Sequence, residues 1–342
     1  MRPMAIACPQ AQEFAKAVAA KTGVPFADTK FTTFLNGEVK SKIMESVRGA
    51  DLYVFQDATN VEATSVNDNL MTLITTLDAA NRSGVGRITA ILPAFPYARQ
   101  HKRNGREGLT AAWVLRTMED LGVDRVVTLD LHNREIINAT KKMTVEIVYA
   151  TYQLIAAVLD LGIPLSELVV VAPDAGSTMR GQLFADLLGT DFAIMSKRRD
   201  YNLVTRSARD SNIKSMNLLG EVCGKTCLLI DDMIDSGGTI ITAAECLTNN
   251  HHASDVYIVA SLPLLSGSAL DSFDCARAGG HFTRMIATDA IRHPNLWARD
   301  WFIKASVVDF FSDVLGKLIK NESISELLDS KAASLRLLRR HE

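Results

Sequence analysis

Two adjacent carboxylates followed by a run of small and hydroxylated residues form the stretch of this chain best suited to chemistry. Asp231 and Asp232 come directly after the apolar run Cys227–Ile230, which predicts a short buried strand. Residues 239–250 have helical composition, so residues 235–239 are predicted to form a strand-to-helix turn. Free backbone N–H groups and the positive end of a helix dipole favour an anion at such a turn. The stretch therefore predicts a phosphate site.

The residue types in this turn are suited to a sugar phosphate. Gly237 and Gly238 permit positive φ and close approach of the backbone, while Ser236 and Thr239 add hydroxyl donors. The paired aspartates only accept hydrogen bonds, so they suit the hydroxyls of a sugar or a magnesium ion carried with it. An ordinary turn in which an aspartate caps the helix is the alternative. Two carboxylates after a buried strand are costly unless they bind something, which favours the ligand site.

Basic and imidazole side chains follow two other predicted strands. Arg99 and Gln100 lie in a basic segment after the strand 87–95, and His132 lies just past the end of the strand that begins at Arg125. Open α/β sheets bind ligands at the carboxyl ends of their strands. A histidine at this position suits either metal binding or a capping and packing role.

Two further strands lead to candidate phosphate-binding segments. The β-branched run Leu168–Ala172 predicts a buried strand that delivers Asp174 onto a small-residue turn, where it is placed to hold the magnesium of a pyrophosphate. The strand 192–199 puts Lys197 and Arg199 on one side at period two, so that both can reach one charged centre. A solvated basic run is the alternative. The polar segment 200–215 predicts a mobile loop.

The elements that must position these residues alternate between short apolar strands and helices, which predicts α/β domains with mainly parallel sheets. Residues 30–49 alternate polar and apolar positions around an Asn-Gly pair and predict a hairpin. A chain of 342 residues suits two domains, 1–149 and 150–305. Residues 306–342 are predicted to be a helical segment that packs back on the first domain.

Composition excludes several classes of protein. A net charge of −2 argues against a general nucleic-acid surface. The five scattered cysteines lack metal-site spacing and predict reduced thiols in a cytoplasmic protein. No stretch has the pattern of a signal peptide or a membrane span, so we expect neither nucleic acid nor membrane as a partner.

Seven motifs in the same order give the chain its resemblance to the ribose-phosphate pyrophosphokinase family, the synthetases of phosphoribosyl pyrophosphate (PRPP). A phosphoribosyltransferase would share only the segment 231–239, so the full series separates the two classes. The resemblance covers nearly the whole chain. The motifs are KFTTFLNGEVKSKIMESVRG, FPYARQHKR, TLDLH, VVAPDAGSTMRG, SKRR, LLIDDMIDSGGT and NESISELL.

This resemblance implies two similar domains like type I phosphoribosyltransferases in a homo-oligomer, expected to be a hexamer. It implies transfer of the β,γ-pyrophosphoryl group of MgATP to the 1-hydroxyl of ribose 5-phosphate, which gives PRPP and AMP. The alternative is a noncatalytic regulatory subunit of a PRPP synthetase complex. Such a subunit would be free to lose the candidate site residues, whereas this chain retains them.

The resemblance also implies roles for individual residues, carried over position by position. The implied ATP-binding residues are Phe34, Asn36, Glu38, Arg99 and Gln100; the implied Mg²⁺ ligands are His132 and Asp174; the implied catalytic cations are Lys197 and Arg199. The implied ribose 5-phosphate residues are Asp231, Asp232, Asp235, Ser236, Gly237, Gly238 and Thr239. Ser46, Arg48, Ser323 and Ser325 resemble an allosteric phosphate or ADP site, and they are equally compatible with helix caps and surface charges.

Several positions depart from the family pattern, and two of them lie beside candidate site residues. His101 stands where an acidic residue commonly follows the Arg-Gln pair. Ser177 stands where the pyrophosphate turn commonly has glycine, which we expect the turn to tolerate if φ is negative at this position.

Overall fold

The computed structural model describes residues 1–60, 64–199, 213–329, 334 and 337–338, with only the backbone described at 197–199 and 213–215. The chain divides into two compact units. Unit 1 comprises residues 1–149, 290–292 and 307–328, and unit 2 comprises 150–289, 293–306 and the described residues from 329 onward. Each unit is an α/β structure with a mainly parallel sheet, which confirms the predicted fold class.

Strands and helices alternate through residues 1–149. Helix α2 begins at Val66, directly after Ser65, whose hydroxyl caps the helix by accepting a hydrogen bond from the Asp68 N–H. The elements are β1 Pro3–Ala7, α1 Gln12–Thr22, β2 Thr29–Thr33, β3 Val39–Ile43, β4 Asp51–Phe55, α2 Val66–Arg82, β5 Arg87–Leu92, α3 Thr110–Asp120, β6 Arg125–Leu129 and β7 Thr144–Val148.

The same alternation continues through residues 150–328. The last two helices, α9 and α10, belong to unit 1. The elements are α4 Thr151–Leu159, β8 Leu168–Ala172, α5 Thr178–Leu188, β9 Asp191–Arg199, β10 Ile213–Leu219, β11 Thr226–Ile234, α6 Gly238–His251, β12 Asp255–Pro263, α7 Ala269–Ala278, β13 Arg284–Thr288, α8 Pro294–Trp297, β14 Phe302–Ala305, α9 Val308–Ile319 and α10 Ser325–Leu328.

Among the described residues of unit 1, five strands form a parallel sheet in the order β1-β4-β5-β6-β7. All of β4 is buried, as expected for a strand of a parallel sheet covered on both faces. The strands β2 and β3 form a separate antiparallel hairpin, which confirms the prediction from the Asn-Gly turn. Helix α9 packs against α1, where Phe311 contacts Phe14 edge to face.

The larger sheet of unit 2 has the order β10-β9-β8-β11-β12-β13-β14 among the described residues, with β10 antiparallel to β9 and the other strands parallel. Its core includes the β-branched Val169, Val171, Val256 and Ile258 of central strands and a group of aromatic residues. Phe273 contacts both Phe282 and Trp301 in that group.

Two predicted strand ends were wrong. The strand predicted to run to Phe95 ends at Leu92, because Pro93 has no N–H to donate to a neighbouring strand. The strand predicted as Cys227–Ile230 extends to Ile234, because its neighbour β12 is nine residues long and continues the pairing to Ile234. The carboxylate pair therefore lies on the strand and not in the turn after it.

The prediction of a loop over 200–215 was wrong at its end. Residues 213–215 belong to β10, which pairs with the end of β9 through an irregular register. A backbone that can complete a ladder with an adjacent strand gains hydrogen bonds that a loop would leave to water. Residues 200–212 lie outside the described residues.

An ion pair joins the amino ends of two neighbouring strands in unit 1. The Arg87 Nε donates to Asp51 Oδ1 at 2.8 Å, and its Nη1 donates to Asn321 Oδ1 at 2.8 Å. The Tyr53 hydroxyl donates to the same carboxylate. The Asp51 side chain is 5% exposed, so Arg87 neutralises a charge that water hardly reaches.

We expect Arg87→Leu to lower the free energy of unfolding by about 3 kcal/mol, because the substitution leaves Asp51 buried without its counter-ion. Arg82→Leu is the matched control, since Arg82 pairs with Asp78 at the surface, and it should cost less than about 1 kcal/mol. Equilibrium unfolding in urea measures both. If both variants lost the same free energy of unfolding, burial would add nothing to the contribution of the Arg87–Asp51 pair.

Candidate functional site

Unit 2 gathers three carboxylates at the carboxyl edge of its sheet. The pairing of β11 with β8 stops at Leu229, whereas its pairing with β12 continues, so Asp231 and Asp232 lie beyond the end of β8. The loop after β8 contributes Asp174, whose charge acts on Asp231. The sequence motifs that carry these residues are 57 positions apart, and the parallel sheet brings them together.

Asp231 is held in place from two sides. The Ser177 hydroxyl donates to its Oδ1 at 2.8 Å, and the N–H of Asp232 donates to the same oxygen at 2.9 Å. Ser177 itself lies in a short turn that Asp174 caps by accepting from the N–H of Gly176 at 3.0 Å. The Ser177 φ is −89°, so serine meets no backbone strain where glycine is common, as predicted.

Burial, followed by the negative charges of Asp232 and Asp174, raises the pKa of Asp231 to about 7. The ionised form is therefore costly in the absence of a ligand. A bound cation, or hydroxyl groups that donate to the carboxylate, would offset that cost. This is the electrostatic pattern of a binding site and not of a stabilising ion pair.

The predicted phosphate turn joins β11 to α6, as the sequence indicated. Gly237 has φ 77°, a left-handed conformation that favours glycine, and the helix begins at Gly238. A Cβ at Gly237 would lie 2.5 Å from the ring of Phe273, so the turn sits directly on the aromatic core. Gly237, the residue before α6, has no side chain of its own to cap the start of the helix. Its first N–H groups are thus oriented towards any anion bound in the turn.

Two of the residues predicted to bind ATP, Arg99 and Gln100, follow strand β5 in unit 1. The backbone is strained at Tyr97, just before them. Tyr97 has φ 59°, which costs free energy in a residue with a side chain, and its hydroxyl donates to Asn67 Oδ1. The carbonyl of Tyr97 accepts from the Gln100 N–H at 2.8 Å. Arg99 and Gln100 are both exposed at the end of this turn. The strained turn presents their side chains to solvent at the carboxyl edge.

His132 follows β6 and is exposed beside the neighbouring loop. Its ring lies 5.2 Å from the ring of His101, centroid to centroid, with the planes at 61°. Burial and the neighbouring His132 lower the pKa of His101 from its usual value, which favours the neutral ring. Asp130, two residues before His132, also has a left-handed backbone with φ 44°.

The hairpin candidates lie on the loop between β2 and β3. The Phe34 side chain is 47% exposed, and Asn36 Oδ1 accepts from the Glu38 N–H at 3.2 Å, which stabilises the turn. The structure thus places the five ATP candidates on two elements of unit 1, three on the hairpin loop and two after β5.

The allosteric candidates also occupy two segments of unit 1. Ser46 and Arg48 lie between β3 and β4, where the Ser46 carbonyl accepts from Arg2 Nη2 at 2.9 Å. The Ser323 hydroxyl accepts from the Ser325 N–H at 3.2 Å at the start of α10. The second contact is the one expected of a helix cap. Lys197 and Arg199 are on β9, but their side chains lie outside the described part of the structure.

Metal-binding geometry is limited in the described part of the chain. No three His, Cys, Asp or Glu side chains there are grouped to hold one ion together. All five cysteines are free thiols. None of the described helices combines the length and apolar character needed to cross a membrane.

Comparison with known proteins identifies the family of the chain. The N-terminal domain of ribose phosphate pyrophosphokinase matches residues 4–122, and the phosphoribosyl transferase domain matches residues 134–277. A ribose-phosphate pyrophosphokinase of Chlorobaculum tepidum is 35% identical over 333 residues, with 96% of each chain covered. The chain belongs to the ribose-phosphate pyrophosphokinase family.

Other members of the ribose-phosphate pyrophosphokinase family extend this similarity. The Burkholderia pseudomallei enzyme is 36% identical over 271 residues, which cover 79% of each chain. The crystal structure of phosphoribosylpyrophosphate synthetase from Mycobacterium smegmatis has a TM-score of 0.82 and 30% identity, and the match covers 94% of this chain and 100% of the other. Family membership makes the chain a transferase and supports PRPP synthesis as its activity.

Sequence reasoning misses two residues that the structure places at the candidate site. In the sequence Ser177 stands out only as a replacement for glycine, although its hydroxyl holds Asp231. In the sequence Tyr97 is only one residue of a motif, with no role assigned to it. In the structure its carbonyl closes the turn that carries Arg99 by accepting from the Gln100 N–H. Neither contact has a sequence signal, since each depends on the position of a distant element or on one unusual φ value.

The pH dependence of stability tests the environment of Asp231. A pKa raised in the folded state means that the folded state binds the proton more tightly, so this group's contribution to stability falls as pH rises from about 4 to about 7 and levels off above that. We expect the free energy of unfolding of the wild type minus that of Asp231→Asn to decrease between about pH 5 and pH 7. Urea unfolding of the ligand-free, metal-free proteins measures it.

The Asp231→Asn variant keeps a side-chain oxygen that can accept from the Ser177 hydroxyl, so it isolates the effect of the charge. Carboxyls far from Asp231 contribute equally to both proteins and cancel in the difference, whereas the repulsion of Asp231 by Asp232 and Asp174 is part of the effect measured. If the difference in free energy of unfolding stays constant from about pH 5 to pH 7, Asp231 is ionised throughout that range. Its burial then does not raise its pKa.

Proposed function

We propose that the chain transfers the β,γ-pyrophosphoryl group of MgATP to the 1-hydroxyl of ribose 5-phosphate, giving PRPP and AMP. The observation that carries the proposal is that the partly buried Asp231 and Asp232 on β11 lie just before the glycine turn that starts helix α6 in unit 2. One end of this arrangement suits sugar hydroxyls and the other suits a phosphate.

Ribose 5-phosphate would bind at the turn between β11 and α6 and at the aspartates before it. The phosphate would accept from the N–H groups of residues 236–239 and from the hydroxyls of Ser236 and Thr239. Asp231 and Asp232 would accept from the ring hydroxyls, which offsets the cost of keeping Asp231 ionised. Asp235 starts the turn, and its carbonyl accepts from the Ser266 N–H at 3.2 Å. The sugar is thereby oriented by both of its polar ends.

The nucleotide would use the exposed residues of unit 1. Arg99 and Gln100 supply a guanidinium and an amide on a strained and therefore well-defined turn. Phe34, Asn36 and Glu38 are exposed on the hairpin loop, where an aromatic ring can stack on a base. In this proposal the hairpin serves the nucleotide site of a neighbouring subunit in a homo-oligomer, expected to be a hexamer.

Magnesium is the proposed cofactor, and the donor set of unit 2 is compatible with it. Carboxylate oxygens are the ligands that Mg²⁺ prefers, and it commonly takes one or two of them together with substrate phosphates and water. Asp174 adjoins the site where burial and repulsion make charge on Asp231 costly. When bound, the ion would neutralise charge on the phosphates. His132 and Asp174 are the proposed ligands.

Charge stabilisation during transfer is assigned to Lys197 and Arg199. Phosphoryl-type transfer depends mainly on alignment and on neutralising charge at the equatorial oxygens, so positively placed cations matter more than a strong base. Both residues lie on β9, beside the strand β8 that leads to Asp174. The backbone thus brings the cation-bearing strand next to the proposed pyrophosphate turn.

Product analysis tests the reaction directly. Purified protein with ATP, Mg²⁺ and ribose 5-phosphate should form AMP and PRPP in equal amounts, which mass spectrometry can follow with and without inorganic phosphate. ADP in place of AMP would contradict pyrophosphoryl transfer. Binding of ATP with no product in either condition would favour the noncatalytic regulatory subunit.

We expect Lys197→Ala to reduce turnover roughly 100-fold or more while changing the affinity for ribose 5-phosphate far less, because the cation acts mainly in the transition state. Steady-state kinetics and ribose 5-phosphate binding measure the two effects. Lys304→Ala is the control, since Lys304 is an exposed lysine on β14 of the same sheet, where it contacts the ring of Trp297. Wild-type turnover in Lys197→Ala would remove this residue from the mechanism.

A further inference from the structure

The hairpin β2–β3 of unit 1 stands apart from the parallel sheet and packs against helix α2. Along β3 every second residue is partly buried, which turns Val39, Ser41 and Ile43 towards α2 and leaves the residues between them exposed. Two of these three residues are apolar, as expected of a packing face. The third, Ser41, puts a hydroxyl at the centre of that face.

The Ser41 hydroxyl lies between two threonines of α2. Its Oγ is 3.0 Å from Thr75 Oγ1 and 2.9 Å from Thr76 Oγ1. Both threonine hydroxyls are also within hydrogen-bond distance of the Thr72 carbonyl, at 3.1 Å and 2.7 Å. Donation can therefore run from Thr76 to Ser41, from Ser41 to Thr75 and from there to the Thr72 carbonyl, so that each hydroxyl donates once. The same chain of hydroxyls can also run in the opposite direction.

The two ends of this hydroxyl chain differ in their surroundings. Thr76 is fully buried, and the Cys8 thiol lies 3.8 Å from its hydroxyl. Thr75 borders a groove of about 540 Å³ between β3 and α2, which Val39 and Ala79 also line, so close packing does not clamp the hairpin there. Apolar contacts are non-directional, whereas hydrogen bonds fix a distance and an angle. The hydroxyl chain therefore defines how the hairpin lies on α2.

We propose that Ser41 is a positioning residue for the nucleotide. The loop at the tip of the hairpin carries Phe34, Asn36 and Glu38, and the last of these is three residues from Ser41. The two strands are paired along their whole length, with Ser41 opposite Phe31, so an orientation fixed at Ser41 is passed on to the tip. Ser41 acts through these residues and does not contact the nucleotide itself. The inference rests on the proposed function, because that proposal assigns this loop to the nucleotide site.

Valine and threonine at position 41 form a matched pair, since they have nearly the same shape and differ by a methyl group in place of a hydroxyl. We expect Ser41→Val to raise the KM for ATP on the order of tenfold, as the loss of two ordinary hydrogen bonds implies, while kcat and the KM for ribose 5-phosphate stay within about twofold. Ser41→Thr should keep the wild-type KM for ATP. Thr33→Val is the control, because Thr33 is an exposed residue of β2 outside the hydroxyl chain.

Steady-state kinetics and calorimetric titration with ATP, both on the full-length protein, compare the wild type with the three variants. Ser41→Val should fold like the wild type, because Thr75 and Thr76 can both still donate to the Thr72 carbonyl. Thermal unfolding of each variant checks this expectation.

Several outcomes would overturn the inference. Wild-type affinity for ATP in Ser41→Val would end it, and an equal loss in Ser41→Thr would make side-chain size responsible and not the hydroxyl. A fall in kcat together with a rise in both KM values would leave Ser41 with a structural role only, as would an equal effect of Thr33→Val. The titration needs no turnover, so it separates the inference from the proposed function. PRPP formation without Ser41-dependent ATP affinity removes only the inference, and Ser41-dependent ATP affinity without PRPP formation removes only the proposed reaction.

Discussion

A carboxylate on a central strand must be compensated, and Asp231 shows how this chain arranges it. Burial and two neighbouring negative charges raise the pKa of Asp231 to about 7, so its ionised form is unfavourable until something binds. The residue is still anchored, by Ser177 and by the backbone of Asp232. The pairing of β11 with β12 and the turn after β8 hold this group at the carboxyl edge of unit 2.

The same residue type has the opposite role at the other end of a strand. Asp51 begins β4 in unit 1, and its carboxylate is matched by the guanidinium of Arg87 and the hydroxyl of Tyr53. That charge is neutralised within the fold, and it contributes to stability. The carboxylates of unit 2 repel one another at the edge where parallel sheets bind ligands. Position along the strand thus separates a charge that is neutralised within the fold from the charges that the proposed function assigns to a ligand site.

The two units also present different donor chemistry. Unit 2 offers carboxylate oxygens and helix N–H groups, which suit a sugar phosphate and a hard cation. Unit 1 offers a guanidinium, an amide and two imidazoles, held on loops whose backbone is strained at Tyr97 and Asp130. Strain of this kind persists only where surrounding contacts enforce it, and it is common at sites that bind ligands. Each donor set is therefore fixed by local backbone geometry as well as by residue type.

Sequence alone determined the alternation of strands and helices, the hairpin and the turn between β11 and α6. These features depend on short-range patterns, such as the apolar run before Asp231 and the Asn-Gly pair. The series of seven motifs was enough to indicate the family. Family comparison then confirmed it, whereas the roles of individual residues in binding and catalysis stay predictions.

Tertiary structure decided what depends on distant neighbours. The strand β11 runs past its predicted end only because β12 continues beside it, and β5 is cut short at Pro93. The meeting of His101 with His132 and the hold of Ser177 on Asp231 depend on which strands lie side by side. Hydrogen-bond ladders and burial set those relations, and they act between residues far apart in sequence. A local pattern cannot encode them.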